Sequence, residues 1–262
     1  MTGKRLIVFQ LVFLIILSYV QRGKAQSVRC EDKPEWVENF SEGGAPSALW
    51  IHSNLDKARR AEDNRYDIFQ KNGKLNIKFI GKTSENEYLA MMFTSKKIAM
   101  RYGKIAVKAK VPAVKGIWPG IWLRETRGIN SKVRGEVDLM EWISCFNRNK
   151  FQANFHLWGE FNGKVNNHVQ YPKWFEKKSF DVAKYHIYSA EWDKEKLIIR
   201  IDDEMVGIWY AKNYIIWPFD TTYELCLDLG YGGWGASCGY DRSLLPQTMK
   251  VDWVKYYKAC LL

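Results

Sequence analysis

The sequence lacks the usual metal-ligand spacings: it has no Cys-x-x-Cys, no His-x-x-x-His and only four histidines in 262 residues, so a structural zinc site has little support. It has no run of five or more basic residues. Its Lys and Arg are scattered, which argues against a nucleic-acid-binding surface. No apolar run reaches the roughly twenty residues that a membrane-spanning helix needs. No amphipathic helix of more than about ten residues carries both start and stop signals, and no fixed-period repeat suggests a propeller or solenoid. No Pro-, Gly- or Ser-rich linker interrupts residues 28–262, so a single domain is expected.

What is present is a chain that is 47% hydrophobic and 26% charged, enough to bury a core. Its 12 Trp, 14 Tyr and 13 Phe favour sheet packing. Lys4 and Arg5 precede an apolar run from Leu6 to Leu17, followed by the small-x-small pattern Gly23-Lys24-Ala25. This reads as a secretory signal peptide over residues 1–25, the run being too short for an anchor. The mature protein, 26–262, is therefore expected to be secreted or periplasmic, without a membrane span. Cleavage would remove four cations and no acid, lowering the formal net charge from +11 to +7. That surplus hints only faintly at anionic partners.

From Lys74 onward the pattern is period two. Leu75, Ile77 and Phe79 alternate with polar residues, as do Ile105, Val107, Ala109 and Val111. Similar runs recur at 88–94, 136–142, 152–156, 186–192, 196–202, 205–210, 223–229 and 249–257. Turn signals such as Asn72-Gly73, Val114-Lys115-Gly116 and Asp202-Asp203 separate several of them. The spacing predicts an all-β sandwich or barrel of antiparallel strands.

Two motifs imitate chemistry. Gly230-Tyr-Gly232-Gly-Trp-Gly235 fits the dinucleotide fingerprint, but the Ala-Ser-Cys-Gly-Tyr-Asp that follows cannot open the required helix. Gly235-Ala-Ser237-Cys-Gly239 fits a nucleophile elbow, yet all four histidines precede Ser237, where that fold needs one after it. Both are read as a glycine-rich turn. Asn39-Phe40-Ser41 is a glycosylation sequon. The five cysteines, Cys30, Cys145, Cys226, Cys238 and Cys260, allow one or two disulfides in an oxidising compartment, with fifteen possible two-bridge patterns.

The informative segment is Gly135-Glu136-Val137-Asp138-Leu139-Met140-Glu141-Trp142. On a strand, Glu136 and Asp138 share a face about 6.6 Å apart, with Val137 and Leu139 on the other. Glu141 breaks the parity. One extra residue, Leu139 or Met140 in a β-bulge, would return it to the face of Glu136 and Asp138. Three carboxylates crowded without cations force their pKa values apart. Glycosidic-bond cleavage requires that separation, one acid ionised and one protonated at neutral pH. The alternative is a solvated acidic edge. The aromatic context favours the chemical reading, because Trp118 and Trp122 lie upstream, Trp158 lies downstream, and indole faces stack on sugar rings.

On these residues the chain resembles glycoside hydrolase family 16, the laminarinase-like β-jelly rolls. The segments that carry the likeness are Thr94 to Pro112, Gly116-Ile-Trp-Pro-Gly-Ile-Trp-Leu123, the bulged Glu136-Val-Asp138-Leu-Met-Glu141, His186 to Trp192, and Leu245 to Tyr257. The resemblance implies an antiparallel β-jelly-roll sandwich with a concave substrate cleft. It implies Glu136 as nucleophile, Glu141 as general acid/base and Asp138 tuning the nucleophile. It further implies His156 near the cleft floor, Trp118 and Trp122 as sugar platforms, and Trp142 and Trp158 as weaker ones. No cofactor is required; a structural calcium held by Asp252, with Glu38 as partner, is a further expectation.

The chain departs from the pattern at Gly120, where the family usually has alanine, at Trp142, and in the Cys145 and Cys238 loops. The expected activity is retaining endo-hydrolysis of a β-linked polysaccharide by a monomer, with β-1,3-glucan first and a β-galactan or host-type glycan next. The alternatives are a non-catalytic glycan-binding protein on the same fold, and a transglycosylase.

Overall fold

The computed structural model describes residues 33–53, 66–81, 87–94, 98–126 and 132–258. The expected signal peptide, Cys30 and Cys260 lie outside the described residues. Among the described residues, sixteen strands form two antiparallel sheets of eight. The first runs, in spatial order, β14 (Glu204–Tyr210), β13 (Lys196–Ile201), β12 (His186–Trp192), β6 (Gly103–Lys110), β16 (Gln247–Tyr257), β4 (Leu75–Phe79) and β3 (Tyr66–Gln70), with β1 (Trp36–Glu38) also on β16. The second runs β10 (Lys164–Gln170), β9 (Lys150–Phe161), β8 (Val133–Glu141), β7 (Ile117–Glu125), β15 (Tyr223–Gly232), β5 (Glu87–Thr94) and β2 (Trp50–Ser53), with β11 (Lys173–Glu176) also on β9.

The period-two pattern explains how the sheets pack. Ile105, Val107 and Ala109 of β6 and Val137 and Leu139 of β8 are buried in one cluster that also takes Phe151, Ala153 and Phe155 of β9 and Leu225, Leu227 and Leu229 of β15. Each strand commits one face to that layer and leaves the other to solvent or to the site. Truncating Leu139, which is fully buried, to alanine would cost about 2–5 kcal/mol through lost transfer energy and the cavity left behind.

Several elements differ from the sequence reading. The Trp-Pro segment is itself a strand, β7, with Ile117, Pro119, Ile121 and Leu123 turned into the core. The motif, which the period-two runs leave unassigned, thus forms a strand between β15 and β8. Strand β15 runs on to Gly232 and is followed by a four-residue 3-10 turn, Gly233–Ala236, not a helix. Ser237 donates its hydroxyl to the Trp234 carbonyl, and Asn39 of the sequon is exposed. Among the described residues no helix is long and apolar enough to cross a membrane.

Candidate active site

The site lies on the outer face of the second sheet, and one irregularity in β8 builds it. Against β7, Asp138 faces Trp122 and Met140 faces Ile121, so Leu139 is extra; against β9, Asp138 faces Asn154 while Glu141 already faces Gln152. Leu139 and Met140 are both fully buried. Two consecutive residues thus point into the core, and the face that carries Glu136 and Asp138 is regained at Glu141.

The register extends this face sideways. One row holds Asp228 on β15, Gly120 on β7, Glu141 on β8 and Gln152 on β9. The next holds Cys226, Trp122, Asp138 and Asn154, and the third Glu224, Arg124, Glu136 and His156. Glu224 and Arg124 pair with each other. The other four acids of these rows, Glu136, Asp138, Glu141 and Asp228, have no Lys or Arg partner among the described residues.

Burial of these acids without a cation raises their proton affinity. Glu141 sits well above the ordinary carboxylate range, first because burial penalises its charge and then because Asp138, Glu136 and Asp228 repel it; the Trp118 indole, donating at 3.2 Å, works against this. Asp138 is raised well above its ordinary value by burial, Glu136 and Asp228. Glu136 is raised by burial and by Asp228, while His156 and a hydrogen bond from Trp158 oppose the rise, so it is raised less than Asp138 and Glu141 and is the acid most favoured to ionise among the three of β8. His156 is lowered by burial, and its Nε2 stands 2.8 Å from Asp138 Oδ2. Both shifts of that close pair run toward neutral groups. One ionised and one protonated glutamate on one face is the arrangement that glycosidic chemistry uses.

Asp228 was not anticipated from the sequence. Its carboxyl is buried and raised to about 7, chiefly by desolvation, while hydrogen bonds from Trp122 and from the Gly120 backbone pull the other way. The Trp122 indole donates to it at 2.6 Å. A Cβ at Gly120 would lie 2.7 Å from Asp228 Oδ1. The missing methyl at Gly120 therefore makes the room in which Asp228 holds Trp122. The available signal was an acid inside the apolar run Tyr223–Leu229.

Aromatic side chains continue the surface. Trp118 and Trp122 are half-buried and Trp158 is 40% exposed. Trp158 stacks on His168 with ring centres 3.6 Å apart, and His168 Nε2 lies 2.8 Å from His156 Nδ1. Trp118 packs edge-on against Trp234, which packs on Phe146, which packs on the exposed Trp174. The disulfide Cys145–Cys238 ties the segment carrying Phe146 to the loop after Trp234, a pairing that residue order alone could not select. Gly235 lets that loop close on the site, since a Cβ there would lie 2.9 Å from both the Gly116 carbonyl and the Trp118 Cβ. Cys226 is buried and free.

Two expectations are corrected. Trp142 is only 2% exposed, packs in the core and donates to the Asn147 carbonyl, so its face is not available to a sugar. It follows Glu141 directly and so returns to the buried side of the strand. Nor do Asp252 and Glu38 form a calcium site. Asp252 is itself an extra residue in β16, and its carboxylate holds Lys74 at 2.6 Å and Lys108 at 2.9 Å, while Glu38 accepts from the Phe40 amide and the Trp50 indole. Two ammonium groups occupy the place where a divalent cation would need uncompensated oxygen. Among the described residues, the group with metal-holding spacing is Glu136, Asp138 and His156, with ligand atoms within 4.8 Å.

The family model for glycosyl hydrolases family 16 matches residues 57–255. A β-glucanase of Rhodothermus marinus is 26% identical over 183 residues, covering 64% of this chain and 62% of that protein. A keratan-sulfate endo-1,4-β-galactosidase of Sphingobacterium multivorum is 29% identical over 171 residues, covering 62% of this chain and 38% of that protein. The chain thus spans less than two thirds of the length of these relatives. A solved non-specific endo-β-1,3(4)-glucanase superposes with a TM-score of 0.71 at 25% identity, over 87% of this chain and 91% of that one.

Proposed function

The chain belongs to glycosyl hydrolase family 16, and from that premise we propose that it is an endo-hydrolase of a β-linked polysaccharide that retains anomeric configuration. The observation that carries the reading is the single extra residue in β8, which puts Glu136, Asp138 and Glu141 on one face with no Lys or Arg partner among the described residues. Glu136 attacks the anomeric carbon while protonated Glu141 delivers its proton to the departing oxygen. Deprotonated Glu141 then activates water, which releases the sugar from the Glu136 ester. Asp138, close against His156, and Asp228, through Trp122, fix the surroundings of the two reacting acids.

Two relatives frame the substrate class: one is a β-glucanase, the other a keratan-sulfate endo-1,4-β-galactosidase. β-1,3-glucan ranks first for this chain and a β-galactan second. The N-terminal apolar segment supports export, where such polymers are met. Incubation with a panel of β-glucans and β-galactans, followed by reducing-end and product-length analysis, tests the reading. Short oligosaccharides are expected from at least one polymer, and none from the Glu136→Gln protein. Binding without cleavage by the unmodified protein would establish the glycan-binding alternative, and products longer than the substrate would establish transglycosylation. Hydrolysis undiminished in Glu136→Gln would remove the mechanism.

A further inference from the structure

The rows of the site do not stop at Glu136. One step on, Arg134 of β8 faces Trp158 of β9, which faces His168 of β10. Arg134 shares the face of Glu136 and lies about 6.6 Å from it along the strand. A cavity of about 630 Å³ opens here, lined among others by Lys132, Arg134, Trp158, Glu160, Asn166 and Asn167.

The charges in this cavity are unevenly matched. Lys132 pairs with Glu160 at 3.2 Å. Arg134 is exposed and makes no ion pair among the described residues. The guanidinium therefore carries the net positive charge of the cavity, beside a face otherwise crowded with carboxyls. A cation there serves neither sheet packing nor the neutralisation of Glu160, which already has Lys132.

The fixed groups around it suit a sugar. Trp158 is held from two sides, by the parallel stack on His168 and by its hydrogen bond to Glu136. Asn167 is held too, accepting from the His168 amide and donating to the Phe161 carbonyl. An indole face takes the apolar side of a pyranose. A planar guanidinium fork takes an oxyanion through two parallel hydrogen bonds.

We propose that this cavity is a binding site for an oxyanion substituent of the glycan, an ester sulfate or a uronate carboxylate, held by Arg134 while its sugar rests on Trp158. On this inference an acidic β-glycan takes the place of the neutral β-1,3-glucan ranked first above, and Arg134 is a specificity-determining residue. The inference deepens the hydrolase reading and rests on it for the meaning of specificity, but the binding itself does not need turnover.

The experiment has two arms. In the first, kcat/KM is compared for a sulfated β-galactan, its chemically desulfated form and a uronate-containing β-glycan. The wild-type protein is expected to favour an acidic polymer over its neutral form by about tenfold or more, the size of a hydrogen bond to a charged group. That ratio should collapse toward one in Arg134→Ala and recover only in part in Arg134→Lys. Which acidic polymer is favoured separates sulfate from carboxylate. In the second arm, calorimetry on Glu136→Gln measures binding of the same glycans. Tighter binding of the acidic form, weakened by added salt and by Arg134→Ala, is expected. If no glycan is cleaved yet acidic glycans bind through Arg134, the hydrolase reading fails and the site stands. If neutral and acidic forms bind and turn over alike, or if Arg134→Ala keeps the preference intact, the site is overturned.

Discussion

The molecule has a bulged strand with an acid in each sheet, and the two are treated oppositely. In β16 the extra residue Asp252 is answered by Lys74 and Lys108, which outweigh its burial and hold its carboxyl below the ordinary range. In β8 the extra residue turns Glu141 toward Glu136 and Asp138, no Lys or Arg among the described residues answers them, and all three carboxyls are raised. A sheet built only for stability would follow the first pattern. The second gives up stability for a field that raises the proton affinity of Glu141, and such unneutralised groups mark sites of chemistry.

The largest test of this contrast is Glu141→Gln. It should lower kcat on an unactivated glycan by about 10³-fold, within the usual range for a lost general acid/base, with the thermal midpoint unchanged or raised. A comparable loss of kcat from Asp252→Asn would erase the distinction between the two bulges.

Stability against pH is the next discriminant. A carboxyl whose folded pKa is raised contributes stability that is present below its unfolded pKa and is lost as pH rises through the folded value. Asp138→Asn should therefore stabilise the protein at pH 7 by about 1–2 kcal/mol, and the gain should vanish below about pH 4, as chemical denaturation at several pH values would show. Asp252→Asn should do the reverse: its lowered carboxyl gives stability above its unfolded pKa that is lost as pH falls through the folded one. The expected cost at pH 7 is about 0.5–1 kcal/mol, because the lysines are partly exposed.

A finer effect comes from Asp228. Its charge contributes to the raised pKa of Glu141. Asp228→Asn should move the alkaline limb of the activity profile, where Glu141 loses its proton, to lower pH, while Asn keeps an acceptor for the Trp122 indole. Gly120→Ala should raise KM by displacing Asp228 from that indole. A pH profile indifferent to Asp228→Asn would restrict Asp228 to a structural role.

Much of this was legible in the sequence because the periodicity of sheets is local. The alternation at Leu75, Ile77 and Phe79 and at Ile105, Val107 and Ala109 marks strands that the structure contains, and the broken parity at Glu141 points to an irregularity between 138 and 141. What was not legible depends on which strand lies beside which. Asp228 meets Gly120 only because β15 pairs with β7 across about a hundred residues, and the loops joined by Cys145 and Cys238 are 93 residues apart. Likewise the likeness to other chains suggested calcium at Asp252, but nothing local to Asp252 announces that Lys74 and Lys108 converge on it.

The division of labour between Glu136 and Glu141 can be read from one product. Once the cleaved sugar is known, its activated aryl β-glycoside is given to Glu141→Ala together with azide. Azide should attack the glycosyl ester of Glu136 and yield the β-glycosyl azide, while Glu136→Ala should yield the α-azide by direct displacement. An α-azide from Glu141→Ala, or a β-azide from Glu136→Ala, would contradict the roles that the bulge in β8 assigns.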